Sequence, residues 1–336
     1  ATIVDIAKEL NLSLSTVSRA LSDHPHVKEK TRKLVQQTAE KMGYRRNLFA
    51  SSLRDKETRN IGLIVPRISM FFHAVVITTI QNELFKHGNS LVISQSNDNV
   101  EMEKELVKAL YNARMDAVIV ASALHTNDFD HFKILVDNNI PLIFYDRIPL
   151  KKFPAYSVAG DDYQGGYIAT SHLIEMGCKR IAHISGPISC NLYRDRSQAY
   201  KDVLERSGIE FDPNILFCHE LTYENARKTL HKLFSKKPYP DGIFAANDVT
   251  AIAAIEFVKE KGITIPTELK LVGYSNDPRS AIITPAITTI EQFPEKMGLA
   301  VVNNLMDLLT EKNGNHNAEL AGHEIIPVQL IRRMSI

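Results

Sequence analysis

Ser13-Leu14-Ser15-Thr16-Val17-Ser18-Arg19-Ala20-Leu21 is the stretch whose reading decides the architecture. It predicts a short helix. Ser13 suits the N-cap position, where its hydroxyl accepts from the backbone N–H of Thr16. Val17 and Leu21 share one face at i, i+4, which leaves Leu14, Ser15, Ser18 and Arg19 for the other faces. Upstream, Asp5-Ile6-Ala7-Lys8-Glu9-Leu10 predicts one more short helix, with Thr2 and Asp5 spaced as a capping box in which Asp replaces the usual Glu. Asn11-Leu12 joins the two. A tight helix–helix turn needs a residue that tolerates left-handed backbone, and Asn is the best choice after Gly. Small Ala7 facing Val17 lets the helices cross closely. The pattern is that of a helix-turn-helix made to enter a DNA groove, although ordinary pairs of amphipathic helices share its spacing.

Charge favours the DNA reading. The first 60 residues hold 12 Lys and Arg against seven Asp and Glu, a net of +5. The remainder holds 28 against 32, a net of −4, so the near-neutral total hides a basic head on an acidic body. A phosphate backbone selects that asymmetry. A third helix is expected over about 28–42, ended by Gly43. Asn47 can cap one more short helix bearing Leu48, Ala50 and Leu53, and the polar run 55–60 reads as a linker.

A chain of 336 residues with 44% hydrophobic content can bury more than one core, so two or more domains are expected. No signal segment is recognised, and no apolar run approaches the roughly 20 residues of a membrane span. Three cysteines without a Cys-x-x-Cys pair point to reduced thiols in a cytoplasm. The twelve His residues show no ligand spacing, so no metal is assigned.

From residue 61 short apolar runs alternate with helical patterns. Runs at 61–65, 91–93, 117–120 and 141–145 read as buried parallel strands, with helices near 71–87, 101–114 and 128–138. A second series has strands at 181–184, 215–217, 242–245 and 269–273, and helices near 163–176, 193–207, 223–235 and 249–261. A helix near 295–311 and one strand near 324–331 close the chain. The expected fold class is α/β: an N-terminal all-α helix-turn-helix head, then two doubly wound parallel-sheet lobes. Ligands bind beyond the carboxyl ends of such strands, where this chain places polar and aromatic residues, and two facing edges make a cleft for a small polar molecule. Ser, Asp and Asn also follow strands simply to cap the next helix.

Phosphate-binding and dinucleotide-binding glycine loops are absent, as are nucleophile elbows and Cys/His pairs. The Asp161-Asp162 pair sits where a helix N-terminus would stabilise it. No catalytic residue is assigned and no cofactor is expected beyond a small-molecule effector.

The order of parts resembles the lactose/galactose-repressor (LacI/GalR) family of bacterial transcription regulators, with lobes like those of periplasmic binding proteins. The matching motifs are Thr-Ile-Val-Asp-Ile-Ala (2–7), Leu-Ser-Leu-Ser-Thr-Val-Ser-Arg-Ala-Leu (12–21), Lys-Thr-Arg (30–32), Met-Gly-Tyr-Arg (42–45) and Ile-Gly-Leu-Ile-Val-Pro (61–66). Others are Gly-Gly-Tyr (165–167), His-Leu-Ile-Glu-Met-Gly (172–177), Ile-Ser-Gly-Pro (184–187), Phe-Ala-Ala-Asn-Asp (244–248), Leu-Val-Gly-Tyr (271–274) and Pro-Ala-Ile-Thr-Thr-Ile (285–290).

The resemblance implies a cytoplasmic, nucleoid-associated homodimer, without membrane contact, that reads a pseudo-palindromic double-stranded operator under control of an effector. A sugar or sugar phosphate is the family default. The implied domains are a head at 1–45, a hinge helix and linker at 46–60, and an effector and dimerisation unit at 61–336. Its lobes are expected at about 61–161 with 291–322, and about 162–290 with 323–336. Leu14, Ser15 and Arg19 match base-reading positions, and Arg19 suits a bidentate contact to guanine. Thr16, Ser18, Thr31 and Tyr44 match phosphate contacts, and Thr2 and His26 join the DNA-binding set. Leu53 matches the residue that the family wedges into the minor groove, with Asn47 and Ala50 as its companions. Arg46, Ser51 and Lys28 depart from the family pattern.

For the effector, Phe71 and Phe72 match an aromatic wall, and Asp146, Arg196, Asn247 and Gln292 match pocket positions. Arg147 and Arg196 suit an anion, unless either is held in a structural ion pair. Ser275 stands where many sugar and purine responders carry Asp, and Cys190, Leu192 and Leu221 make a purine unsuitable. The alternatives are a solute-binding protein of transport or chemotaxis type, or a sugar-acting enzyme using Asp146 and Asp161.

Overall fold

The chain divides into two units, Ala1–Thr58 and Arg59–Ile336, and the computed structural model describes residues 1–22, 24–44, 58–313 and 322–336. In the first unit, α1 (Ile3–Glu9), α2 (Leu14–Leu21) and α3 (Glu29–Lys41) follow the sequence closely. Thr2 Oγ1 accepts from the Asp5 N–H at 3.3 Å, and the Asp5 carboxylate accepts from the Thr2 N–H at 2.8 Å, completing the capping box. Ser13 Oγ accepts from the Thr16 N–H at 3.2 Å. Asn11 takes the left-handed conformation that the turn requires, with φ 50°. Lys28 makes no capping hydrogen bond, so α3 starts without one. Ile6, Ala7, Val17, Ala20, Val35 and Ala39 form the core.

In the second unit, the strands are β1 (Asn60–Val65), β2 (Ser90–Gln95), β3 (Ala117–Val120), β4 (Leu142–Tyr145), β5 (Tyr156–Gly160), β6 (Ile181–Ser185), β7 (Leu216–Cys218), β8 (Gly242–Ala245), β9 (Lys270–Tyr274), β10 (Thr288–Glu291), β11 (His323–Ile326) and β12 (Gln329–Ile331). They form two sheets, ordered β11-β5-β4-β3-β1-β2 and β12-β10-β9-β8-β6-β7. The first is parallel throughout, and in the second only β12 runs antiparallel, against β10. Both orders reverse direction next to their first strand in sequence, β1 and β6, and that is where ligands meet such sheets.

Helices cover both faces of each sheet. They are α4 (Phe71–Lys86), α5 (Val100–Asn112), α6 (Lys133–Asp137), α7 (Asp162–Glu175), α8 (Asn191–Arg206), α9 (Tyr223–Leu233), α10 (Asp248–Glu260), α11 (Arg279–Ile282) and α12 (Pro294–Asn313). Phe72, Val76, Ile80 and Leu84 of α4 pack with Met297, Val301 and Leu305 of α12 on one face of the first sheet. Val107 and Leu110 of α5 fill the other. Among the described residues no helix is long and apolar enough to cross a membrane.

Two expectations are corrected. The helix foreseen over 128–138 is a short 3₁₀ turn at Asp130–Phe132 followed by α6, because Asp128 Oδ1 takes the Asp130 N–H at 2.9 Å and holds the preceding residues in a loop. The single strand foreseen near 324–331 is two strands that join different sheets. Pro327 lies between them, with no N–H to continue a ladder. Residues 323–326 therefore belong to the first lobe, and β10 carries the second lobe through Glu291. The chain passes between lobes three times, after β5, after β10 and between β11 and β12.

Helices α7 and α8 pack backbone to backbone at Gly166, where an added Cβ would lie 2.6 Å from the Arg196 carbonyl oxygen and 2.8 Å from its Cα. Backbone cannot yield as a side-chain tip can. Gly166→Ala is expected to destabilise the second lobe by about 1–3 kcal/mol, read as a lower denaturant midpoint at unchanged slope.

Candidate functional site

The head presents one polar face. Val17 and Ala20 turn α2 into the core, while Leu14 is 49% exposed and Ser15 and Arg19 are exposed beside it. The Arg19 side chain makes no hydrogen bond or ion pair among the described residues, so its guanidinium donors are available to a base edge or phosphate. Thr16, Ser18, Thr31 and Tyr44 are half-buried, which lets the core fix their positions while their polar ends remain reachable. Thr2 and His26 are exposed, and the His26 ring lies 5.3 Å from that of His24. Asn47, Ala50 and Leu53, with Arg46 and Ser51, lie outside the described residues.

The second unit brings its strand ends together in an interlobe cleft. Asp146 follows β4 at φ 58°, and its carbonyl accepts from Asn191 Nδ2 at 2.9 Å. Asn191 Oδ1 in turn accepts from the Ile148 N–H at 3.0 Å, so this one side chain ties α8 of the second lobe to backbone of the first. Arg147 is buried and donates through Nη1 to Asp98 and, at 3.4 Å, to the Ser122 carbonyl. Arg67 donates to Asp98 at 3.3 Å and, across the cleft, to Glu220 at 2.8 Å. Leu124 of the first lobe packs with Cys190, Leu192, Tyr193 and Ala246 of the second, closing the middle of the cleft with apolar surface.

Arg196 has partners of its own. Its Nε and Nη2 donate to Asp162 Oδ1 at 2.9 and 2.7 Å, and Nη1 donates to the Ala246 carbonyl at 2.8 Å. The guanidinium lies 3.5 Å from the centre of the Tyr274 ring, whose hydroxyl donates to the same Asp162 oxygen at 3.2 Å. Burial acts against the Arg196 charge, but Asp162, Tyr274 and Tyr193 together outweigh it and hold the proton more firmly. At Arg147 burial is likewise overcome by several groups together, Asp98 foremost. Both arginines expected to suit an anion are thus held in internal ion pairs.

Asp146 differs. Its side chain is 8% exposed, and no residue among those described donates a hydrogen bond to its carboxylate. His73 Nε2 lies 3.9 Å away, but burial, aided by Arg147, pushes that imidazole down to about 3, so it stays neutral. Burial pushes Asp146 itself up to about 6, with Arg147 pulling back. The buried Gln292 carboxamide also makes no hydrogen bond among the described residues, and Arg147 Nε is buried without a partner. Of these three groups only the Arg147 Nε is fully shut off from solvent, and a buried polar atom left in that state is costly unless a ligand satisfies it.

Residues 2–47 match the family described as bacterial regulatory proteins, lacI family. Residues 170–336 match the periplasmic binding protein-like domain. The ribose operon repressor of Halalkalibacterium halodurans is 30% identical over 311 residues, 93% of this chain and 91% of that protein. The chain belongs to the lacI family of bacterial regulatory proteins. The HTH-type transcriptional repressor PurR of Pasteurella multocida is 29% identical over 99% of this chain and 98% of its own length. Among solved structures, the lac repressor dimer bound to operator and the anti-inducer ONPF superposes with a TM-score of 0.86 at 25% identity, covering 100% of this chain and 98% of that one. This lacI-family chain is accordingly a DNA-binding transcriptional regulator, and the curated relatives named above are repressors rather than enzymes.

Within this family member, the residues foreseen for the cleft fare unequally. Arg147 and Arg196 both lie close enough to Asp146 to favour its ionised form. Asn247 is occupied as the cap of α10, accepting from the Thr250 N–H at 2.8 Å and donating to the Leu221 carbonyl at 3.2 Å. Phe72 is buried in the first-lobe core and Phe71 is half-buried, so only Phe71 offers part of its ring. Ser275 is half-buried at φ 107° with its N–H on the Ile290 carbonyl at 2.8 Å. Asp161 caps α7 as foreseen, accepting from the Gln164 N–H at 3.0 Å, whereas Asp162 is the buried partner of Arg196. Sequence reading missed Asn191 and Asp98, because an Asn opening a helix reads as a cap and Asp98 sits in a polar loop 49 residues before Arg147.

Proposed function

We propose that this chain is a homodimeric repressor of the bacterial cytoplasm and nucleoid, whose hold on a pseudo-palindromic operator is set by an uncharged carbohydrate in the interlobe cleft. Residues 1–45 are the reading head, 46–60 the hinge, and 61–336 the effector and dimerisation unit. The observation that carries the ligand class is the unpaired, buried Asp146 carboxylate beside two internally neutralised arginines. A carboxylate accepts hydrogen bonds only, so it matches the hydroxyl donors of a sugar. Gln292 and the Arg147 Nε supply donors for the sugar's oxygens. The relatives support the class: one is a ribose operon repressor, and one structural neighbour of 25% identity, with a TM-score of 0.68, is complexed with D-xylulofuranose. A ligand that prefers one arrangement of the lobes shifts their population toward it, and the dimer carries that shift to the heads.

A second copy suits the exposed apolar side chains of the edge strand β2, Val92 and Ile93, and of α11, where Ile282 is 81% exposed. In the lac repressor complex that superposes on this chain, the protein is a dimer on operator DNA.

The test is to select an operator from random duplexes, then titrate it at fixed salt with and without a panel of sugars. A sugar that raises the melting temperature and changes operator affinity supports the reading. If no sugar does either, the effector assignment fails. Arg19→Ala is expected to lower the preference for operator over random DNA by about 1–3 kcal/mol per half-site, and an unchanged preference in competition titrations would remove its base-reading role.

A further inference from the structure

The passages between the lobes all gather at one end of each sheet. In the first sheet they leave from β5 and β11, neighbours at one end of the strand order. In the second they leave from β10 and β12, again neighbours at one end. Arg67 and Glu220 stand toward the opposite ends. Arg67 follows β1, which pairs with the edge strand β2, and Glu220 follows β7, itself an edge strand. Among the described residues their 2.8 Å contact is the one ion pair that joins the two lobes.

That position gives the pair leverage. Strands lie about 4.8 Å apart, so the four steps from β10 to β7 set Glu220 roughly 19 Å from the crossovers. A hinge opening of about 10° then carries it by roughly 3 Å, which parts an ion pair while leaving the crossovers almost still.

Both partners are held in place before they meet. Arg67 Nε donates to Asp98 at 3.3 Å, which leaves Nη2 to reach Glu220. Asp98 is itself fixed by the Leu124 N–H at 3.1 Å and by Arg147. On the other lobe, the Glu220 carbonyl accepts from the Thr222 N–H, from Asn225 Nδ2 and from His219 Nδ1, each at 3.0 Å. A planar guanidinium already anchored at one edge loses little freedom when its other edge is engaged.

We propose that Arg67 and Glu220 form an electrostatic latch that holds the two lobes in the arrangement of this structure, with Asp98 as its anchor in the first lobe. The latch sets the balance between open and closed lobes on which a cleft ligand then acts. That consequence rests on the cleft being the seat of control. The latch itself does not, and it is tested without effector or DNA.

Two groups of the full chain report the parting of the lobes. The Ile148 N–H is held by Asn191 of the other lobe, so its hydrogen exchange reads opening. Cys190 is buried in the apolar closure between lobes, so its alkylation by iodoacetamide reads the same event. Cys178 is buried inside the second lobe and reports general unfolding. The latch side chains are 43% and 40% exposed, so a modest, salt-sensitive effect is expected. At low salt Arg67→Ala and Glu220→Gln should each speed Ile148 exchange and Cys190 alkylation by about two- to fivefold. The double variant should match Arg67→Ala, since one interaction cannot be lost twice. At about 1 M salt the differences should vanish, and Cys178 alkylation should be the same in every variant. Unchanged rates at Ile148 and Cys190, additive effects in the double variant, or differences that persist undiminished in high salt overturn the proposal. So does Cys178 alkylation rising in step with Cys190, which would assign the effect to stability of the lobe.

Discussion

Arg196→Ala is expected to lower the melting temperature of the two-lobed unit by roughly 10 °C, from a cost of about 3–5 kcal/mol for stranding a buried charge. Resemblance alone suggests a different outcome, in which the fold is untouched and the effector response disappears. The geometry argues otherwise. Arg196 is 3% exposed, and its donors go to Asp162 and the Ala246 carbonyl while its plane lies against Tyr274. Removing it leaves Asp162 buried with only the Tyr274 hydroxyl. Burial already pushes Asp162 up, and the loss of Arg196 pushes it further. A carboxyl whose folded pKa is raised stabilises the fold below its unfolded value and loses that contribution as pH rises through the folded one. The deficit of Arg196→Ala should therefore shrink in acid and widen toward neutral pH. Adding Asp162→Asn should recover much of it at pH 7. A melting temperature unchanged by Arg196→Ala, measured by scanning calorimetry, would return Arg196 to the role of a ligand holder.

The contrast shows which parts of this protein can be read along the chain. Caps are local. Thr2 with Asp5 and Ser13 with Thr16 lie three residues apart, so their hydrogen bonds follow from spacing. Strands buried on both faces are continuous apolar runs, and the β/α alternation is legible for the same reason. Partnerships across the fold are not. Nothing at Arg196 announces Asp162, which lies 34 residues away, and nothing at Arg147 announces Asp98. Sequence marks both arginines and leaves open that ion pairs hold them, without naming the partners. Along the chain β11 and β12 look like one apolar strand, and only the sheet each joins separates them at Pro327. Asn191 is not legible along the chain, because its contacts are backbone groups of the other lobe, which have no signature in sequence.

Asp146→Asn should separate stability from function. The carboxyl is buried, unpaired and pushed up to about 6 from an ordinary value of 3.8. Folding therefore favours its protonated form. Its contribution is fully present below the unfolded value, falls away as pH rises from about 4 to about 6, and is lost above that. A shift of about two pKa units corresponds to roughly 3 kcal/mol. Asn cannot ionise, so the ligand-free variant should match the natural protein near pH 4 and exceed it by up to about 3 kcal/mol at pH 7 to 8. His73, neutral in the fold beside it, is present in both proteins and cancels in the difference. Carbohydrate binding should fall in the same variant by about 2–3 kcal/mol, because a charged acceptor of hydroxyl donors becomes a neutral amide. Both effects come from one fact, that the strand end at β4 holds a largely buried carboxylate without giving it a donor among the described residues. Denaturant titrations at pH 4 and pH 8, set beside calorimetry with the sugar found in the screen, decide it. A variant less stable than the natural protein at pH 8 would mean that Asp146 is already satisfied within the fold. One that is more stable and still binds sugar normally would place the effector elsewhere in the cleft.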